Sequence, residues 1–449
     1  FVARNSARAY ELGEIVLVEQ ILHSLRLQIL LLERRLEKYL LNNHLLINAE
    51  ALMFAGALLE CREAPRWWLT GESLLKTQLS KQILPDGGQV ERSPSYQAWL
   101  LEHIVDVRDL VHWTKPKGNI ESLLQNYAWR MADFLRQIKH PDGQIPLLND
   151  SAMDFAASKV ELDVLLARAG AVATVDFQPQ SDISILSDSG YGVIRDPASG
   201  SHLILDCGPL GPVYQLGHGH CDVLSFELSL RGQRLVVDTG TSTYRAGKKR
   251  HYERSTAAHN TLRIDGEDQA ELWSSYRVGR NPRVGSIRGG HIEESPFLRG
   301  EHYAYDRQNV THCRTVVRRP NDCWIILDYL YGTGRHKVES FLHLHPLVHV
   351  KHRNLNCFLS FASDRYVLTT YGVDELTLTE SYYSPGYGVR QTGATIHCKR
   401  QGSLPMILGF VLRPAASESP SIRFDGGKRV TIDGVVVPLR HAESGTGES

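Results

Sequence analysis

No two cysteines in this chain are spaced C-x-x-C, and the seven present, at 61, 207, 221, 313, 323, 357 and 398, are odd in number. Neither a disulfide framework nor a thiolate zinc site is therefore expected. Net charge is also lacking, because 50 Lys and Arg balance 50 Asp and Glu. The whole-molecule field gives no argument for nucleic acid, and a polyanionic partner has to be gripped by a local cluster of Arg and Lys. No uninterrupted run of about 18 apolar residues occurs, so no membrane span is expected. The most apolar stretch, 15–32, is broken by Glu19, His23, Arg26 and Gln28 and reads as an amphipathic helix. Methionine is missing from position 1: the chain starts at Phe1 and enters a helical pattern almost at once. The expectation is that preceding sequence, with any signal peptide, lies out of view. The tail from Glu443 to Ser449 is small and polar and reads as disordered.

What is present divides into two halves. A length of 449 residues, 42% hydrophobic and 22% charged, suits two or three globular domains. Residues 1–175 have helical periodicity, with apolar positions recurring every three and four residues in 15–41, 44–60 and 96–113. Two similar breaks, Pro85-Asp86-Gly87 and Pro141-Asp142-Gly143, stand 56 residues apart, the length of one helical hairpin with its connection. They read as equivalent loops of stacked αα-hairpins, as in a toroid or solenoid. Residues 185–442 alternate instead: Leu224, Phe226, Leu228 and Leu230 point one way, Ser225, Glu227 and Ser229 the other. Many such short runs predict an antiparallel β-sandwich, with the junction near 172–186.

Chemistry-bearing residues cluster in both halves. In the β half, Gly217-His218-Gly219-His220-Cys221-Asp222 precedes Asp238 by a few strands' length, and Asp238 precedes His259. His220, Asp238 and His259 offer two imidazoles and a carboxylate, a set that suits zinc. Asp222 can orient one of those imidazoles, and Cys221, pointing to the opposite face, reads as core. His218 is then left for chemistry. In the helical half, Ser93-Pro94 reads as a helix cap followed by the first helical position. That placement puts Tyr96 in the first turn, where the positive end of the helix dipole favours a phenolate. Glu91 and Arg92 lie just upstream, and Asn42-Asn43-His44 precedes another apolar helix, either as a cap or as an amide and imidazole at a cleft. Tyr244, Tyr252, Arg254, Trp273, Tyr276 and Arg277 supply rings and guanidinium groups suited to sugars and their acidic substituents. His343 and His345 read as structural.

Together these strings resemble the heparinase II/III-like polysaccharide lyases, a family that includes heparin-sulfate and oligoalginate lyases. Asn42-Asn43-His44, Asp86 to Tyr96, Gly217 to Asp222, Val237 to Thr241 and Arg254 to Thr261 carry the resemblance, in order, across residues 40 to 345. It implies an incomplete α/α-toroid followed by antiparallel sheets, short of hairpins at its start. It also implies β-elimination of a uronic-acid-containing polysaccharide: glycosaminoglycan-like, alginate or bacterial exopolysaccharide. In this resemblance Asn43 neutralises the uronate carboxylate and Tyr96 is the Brønsted acid and also a candidate base. His44 and His218 flank the C5 proton, and His220, Asp238 and His259 hold a zinc of structural character. Glu91, Arg92, Tyr244 and Arg254 are candidate substrate contacts. A periplasmic or secreted bacterial enzyme is implied.

The chemistry accounts for these residue types. A C5 proton is a poor acid until the neighbouring carboxylate is neutralised, so donors must face the developing enolate. A base takes the proton and an acid protonates the leaving oxygen. Two other classes fit the same residues: a zinc-dependent glycan hydrolase, and a non-catalytic glycan-binding or biosynthetic accessory protein. A conjugated unsaturated product distinguishes elimination from both.

Overall fold

The computed structural model describes residues 11–439 except 12, 14, 117, 156–158, 171–180, 426–428 and 438. The C-terminal tail and most of the expected junction lie outside the described residues. Among them the helical half contains α1 (Ile15–Arg34), α2 (Asn42–Leu58), α3 (Ala64–Gln82), α4 (Pro94–Thr114), α5 (Ile120–Ile138) and α6 (Lys159–Arg168). Helices α2 and α3 pack as one hairpin, and α4 and α5 as the next. The first hairpin is tight because Gly71 lets α3 approach α2: a Cβ there would meet the Ala49 carbonyl oxygen at 2.7 Å. One core of Leu75, Leu79, Leu101, Ile104, Leu124 and Leu135 unites the hairpins.

Helix α1 forms where the sequence reading expects an amphipathic helix. It is long and apolar enough, by length and composition, to cross a membrane. One of its interruptions docks it: Arg26 pairs with Glu63 at 2.8 Å, while Ile29 is buried and Leu17, Leu27 and Leu31 stay exposed.

Strands begin at Ile183 and pair antiparallel. A nine-stranded sheet runs in the order Ile183–Leu186, Tyr191–Asp196, Ser201–Asp206, Phe226–Leu230, Gln233–Val236, Arg335–Leu344, Gln391–Ser403 and Glu375–Tyr383, with Leu262–Ile264 beside Arg335–Leu344. An eight-stranded sheet faces it, with Cys323–Gly332 between Met406–Pro414 and Val310–Arg319. Phe226 of the first sheet and Phe410 of the second meet in the core, ring centroids 6.3 Å apart. Phe226, Leu228 and Leu230 alternate with Glu227 and Ser229 as expected, yet every residue of this strand is buried. The polar face is covered because the helical domain lies on it: Glu227 accepts from Leu147 N at 2.6 Å, and Ser229 Oγ lies 2.8 Å from His140 Nδ1.

The two Asp-Gly breaks fold alike. Gly87 and Gly143 both have positive φ, 89° and 86°. Gly87 N donates to Leu84 O and Gly143 N to His140 O, each at 2.9 Å. Gly88 N and Gln144 N donate to Asp86 and Asp142 at 3.0 and 2.9 Å. Each turn follows the second helix of a hairpin, and each aspartate also reaches the sandwich. Asp86 accepts from Ser189 N at 2.7 Å, and Asp142 accepts from Arg234 Nε at 2.7 Å. The repeat seen in the sequence is thus a repeated domain clamp.

Candidate active site

Helix α4 begins as its sequence dictates. The Ser93 side chain accepts from Tyr96 N at 3.3 Å and Pro94 occupies the first turn, a cap contributing about 1 kcal/mol. Ser93 Oγ also donates to Asp150 O at 2.6 Å, tying the cap to the 145–152 loop. Tyr96 therefore projects from a fixed helix start into a cavity of about 600 Å³, shared with Asn43, His44, Trp99, Phe155, His218 and Tyr276. Helix α2 starts differently from a normal Asn-capped helix. Leu41 is the capping residue and makes no side-chain cap bond, and Asn42 has a φ of 49°. Asn43 and His44 are thereby left on the cavity wall.

The dipole argument for a lowered Tyr96 pKa does not hold. Burial pushes the Tyr96 hydroxyl up to about 12, outweighing its contact with Tyr244. The free protein holds a phenol there, suited to giving a proton.

On the sandwich side, the Gly217–Asp222 loop presents His218 directly to Tyr96, ring centroids 4.2 Å apart. The imidazole lies between two carboxylates: Nδ1 is 3.0 Å from Asp150 Oδ2 and Nε2 is 3.2 Å from Glu91 Oε2. Burial pulls the His218 pKa down, but the Asp150 hydrogen bond and Glu91 more than offset it, so the net direction is up. Glu91 accordingly orients a catalytic candidate from behind.

Asp150, which the sequence reading did not single out, is the hub. Fully buried, it meets His218, His220 at 2.8 Å and Arg250, whose Nη2 donates at 2.7 Å. Burial alone would raise its pKa; the Arg250 guanidinium and both imidazoles hold it well below the carboxylate range. Its partners lie 68, 70 and 100 residues away, so no local spacing signals it. The one available cue is Asn149-Asp150, a polar pair closing the apolar run 145–148 after the second Asp-Gly turn. Asn149 supports the same loop by accepting from His220 N at 3.0 Å.

Behind His218, the metal candidates are rearranged relative to expectation. Ligand atoms of His220, Asp222 and His259 all lie within 4.8 Å of one another, and all three residues are buried. Asp238, the expected ligand, instead meets His259 Nδ1 at 2.7 Å and accepts from Gly240 N. Among the described residues, His220 Nδ1 and His259 Nε2 have no hydrogen-bond partner. Burial pushes the His220 imidazole down to about 3, which leaves it neutral and able to ligate. Two orphaned imidazole nitrogens beside a carboxylate fit a tetrahedral divalent metal such as zinc.

Two expected substrate contacts are structural. Arg92 donates to the carbonyl oxygens of Ser189, Val90 and Asp188, bridging the domains. Arg254 is fully buried and donates to the Gly219 and Ser274 carbonyls, holding the His218 loop in place. Both guanidinium groups donate to backbone carbonyls. Tyr244 remains at the site, its hydroxyl 2.5 Å from Tyr387 and 3.5 Å from Tyr96, with Arg250 5.0 Å over its ring. Cys221 is core as expected, and His343 is buried against Ala257 O and Thr395.

Residues 178–425 match the family description "Heparinase II/III-like, C-terminal", and residues 19–163 match "Heparinase II/III N-terminus". The chain belongs to the heparinase II/III family. A heparin-sulfate lyase of Pedobacter heparinus is 27% identical over 247 residues, covering 50% of this chain and 36% of that protein. One from Bacteroides stercoris is 22% identical over 318 residues, covering 66% and 45%. The chain thus spans less than half the length of these two relatives. Among solved structures, heparan sulfate lyase HepC from Pedobacter heparinus aligns with a TM-score of 0.71 at 21% identity, over 95% of this chain and 70% of that one. A heparinase III aligns at 0.72 and 18%, over 88% and 66%. These likenesses show the heparinase fold, a helical toroid followed by a β-sandwich, in agreement with the two halves read from the sequence.

Proposed function

We propose that this protein is a polysaccharide lyase that cleaves a uronic-acid-containing, glycosaminoglycan-like polymer by β-elimination. The observation that carries this reading is the Tyr96–His218 pair, one group from each domain, meeting in a cavity that also contains Asn43 and His44. Family membership and heparin-sulfate lyase relatives support it.

The reaction needs a donor for the uronate carboxylate, a base at C5 and an acid at the leaving oxygen. Asn43 serves as the donor, and the doubly held His218 adds positive charge beside it. His218 has carboxylates at both nitrogens, so it supplies charge rather than a free lone pair. His44, half-exposed on the cavity wall, takes the C5 proton. The C5–H electron pair becomes the C4=C5 double bond, the C4–O bond breaks, and the leaving oxygen takes the Tyr96 proton. Trp99, Phe155 and Tyr276 line the cavity and exclude water from the enolate.

In this reading His220 and His259 would hold a zinc ion, with Asp222 or Asp238 supplying a carboxylate. Bound there, zinc would brace the loop that carries His218. For Asp238 to ligate, its hydrogen bond to His259 Nδ1 would be exchanged for the metal. Zinc content of Asp222→Asn and Asp238→Asn variants distinguishes the two. In this reading the protein acts on such polymers in the periplasm or outside the cell.

The deciding experiment incubates the protein with heparan sulfate, hyaluronan, chondroitin sulfate and alginate and follows the near-ultraviolet absorbance of the unsaturated product. Cleavage without that absorbance identifies a hydrolase, and absence of cleavage with retained binding identifies an accessory protein.

A further inference from the structure

A second cavity, of about 380 Å³, is lined by residues on either side of Tyr244 in the chain. Ser242, Thr243, Arg245, Lys248, Lys249 and Gly388 are among its lining residues. It is tied to the active site through Tyr244, which Thr243 and Arg245 flank in the chain and whose hydroxyl reaches both Tyr96 and Tyr387. Gly388, next to Tyr387, donates its N–H to Ser242 O at 2.8 Å and joins the two segments.

Arg245, Lys248 and Lys249 are exposed, and among the described residues none forms an ion pair, although 33 such contacts occur elsewhere. The surrounding charges do not compensate them. Arg250 is committed to Asp150, and Glu253, the first acid downstream, is buried and hydrogen-bonded to Ser242. Arg390 is the group facing Glu253, at 3.9 Å. Three free cations within five residues, lining a sugar-sized recess beside the reacting groups, form a local positive site in a chain with no net charge.

We infer that this recess is an anion subsite for the polymer, taking the sulfate or carboxylate of a sugar unit beyond the one being cleaved. The chain would run from the main cavity across Tyr244 to the lysines. Arg245 offers a planar fork and the lysines offer point charges, a combination that accepts either oxyanion.

This inference rests on the lyase reading for its ligand class, but its test is binding, which does not require turnover. Heparan sulfate and its chemically desulfated counterpart are titrated into Tyr96→Phe protein and into the same protein carrying Arg245→Ala, Lys248→Ala and Lys249→Ala. Kd is followed as salt is raised. The expected result is Kd weakened about tenfold, with a shallower salt dependence. Loss confined to the sulfated polymer identifies a sulfate ligand, and equal loss on both identifies a carboxylate. Unchanged Kd and salt dependence on both polymers overturns the subsite. The charge reversal Lys248→Glu at this exposed position provides a second variant, expected to weaken binding in the same direction. Failure of the lyase reading would show separately, as no unsaturated product from protein with Tyr96 intact.

Discussion

Asp150 Oδ2 lies 3.0 Å from His218 Nδ1, joining a loop of the helical domain to the histidine presented by the sandwich. Both oxygens of that carboxylate are used, because His220 and Arg250 take the remaining positions. Replacing Asp150 with Asn keeps the shape but leaves Arg250 a buried, uncompensated cation. The expected cost is about 3–5 kcal/mol of unfolding free energy, read from urea denaturation. A variant as stable as the parent would show that Asp150 is not the hub of the site.

Tyr96→Phe should behave oppositely. Its hydroxyl makes one long contact, to Tyr244 at 3.5 Å, so melting should be nearly unchanged. Elimination should fall about 10²–10⁴-fold, measured by product absorbance. Wild-type turnover in this variant would remove Tyr96 from the acid role.

Acid should loosen the protein through specific carboxylates. Burial alone would raise Asp328 and Asp142, but Arg314 with His312 overcomes it for the first and Arg234 for the second, so both lie below their ordinary value. For a depressed carboxylate the stabilisation is fully present above the unfolded value, about 3.9, and is lost as pH falls toward the native one. Thermal midpoints should therefore drop steeply below about pH 4. Asp142→Asn should flatten that limb while lowering stability at neutral pH. An unaltered limb would place the acid sensitivity elsewhere.

Metal removal provides a test independent of turnover. If zinc is held by His220 and His259, chelation should lower the thermal midpoint, and re-addition should restore it. At about 100-fold excess over Kd, bound metal contributes about 2.7 kcal/mol. His259→Ala protein should contain no zinc and show no response to chelator.

The sequence made some of this legible for physical reasons. Period-two alternation in 224–230 follows from a pleated strand, and the Ser93-Pro94 cap from unsatisfied helix donors; both are local. His218, Tyr96, Asn43 and His44 each sit in a short polar string, and the fold brings them to one cavity. Asp150 has no such signal, because its partners His218, His220 and Arg250 are distant in the chain. Arg92 and Arg254 looked like ligand contacts because a sequence does not show whether a guanidinium faces a cleft or a carbonyl. Tyr96 shows the same limit: its helix position is local, whereas the burial that raises its pKa is a property of both domains.

The matched Asp-Gly turns have a mechanical consequence. Asp86 fastens the strand pair at Ser189, and Asp142 fastens the one at Arg234, so the helical layer is pinned to the sandwich at two separate points. A plate held by two bolts does not swing about either one. Both turns therefore bear on the approach of Tyr96 to His218, beside which Tyr244, Tyr276 and Tyr387 are in ring contact.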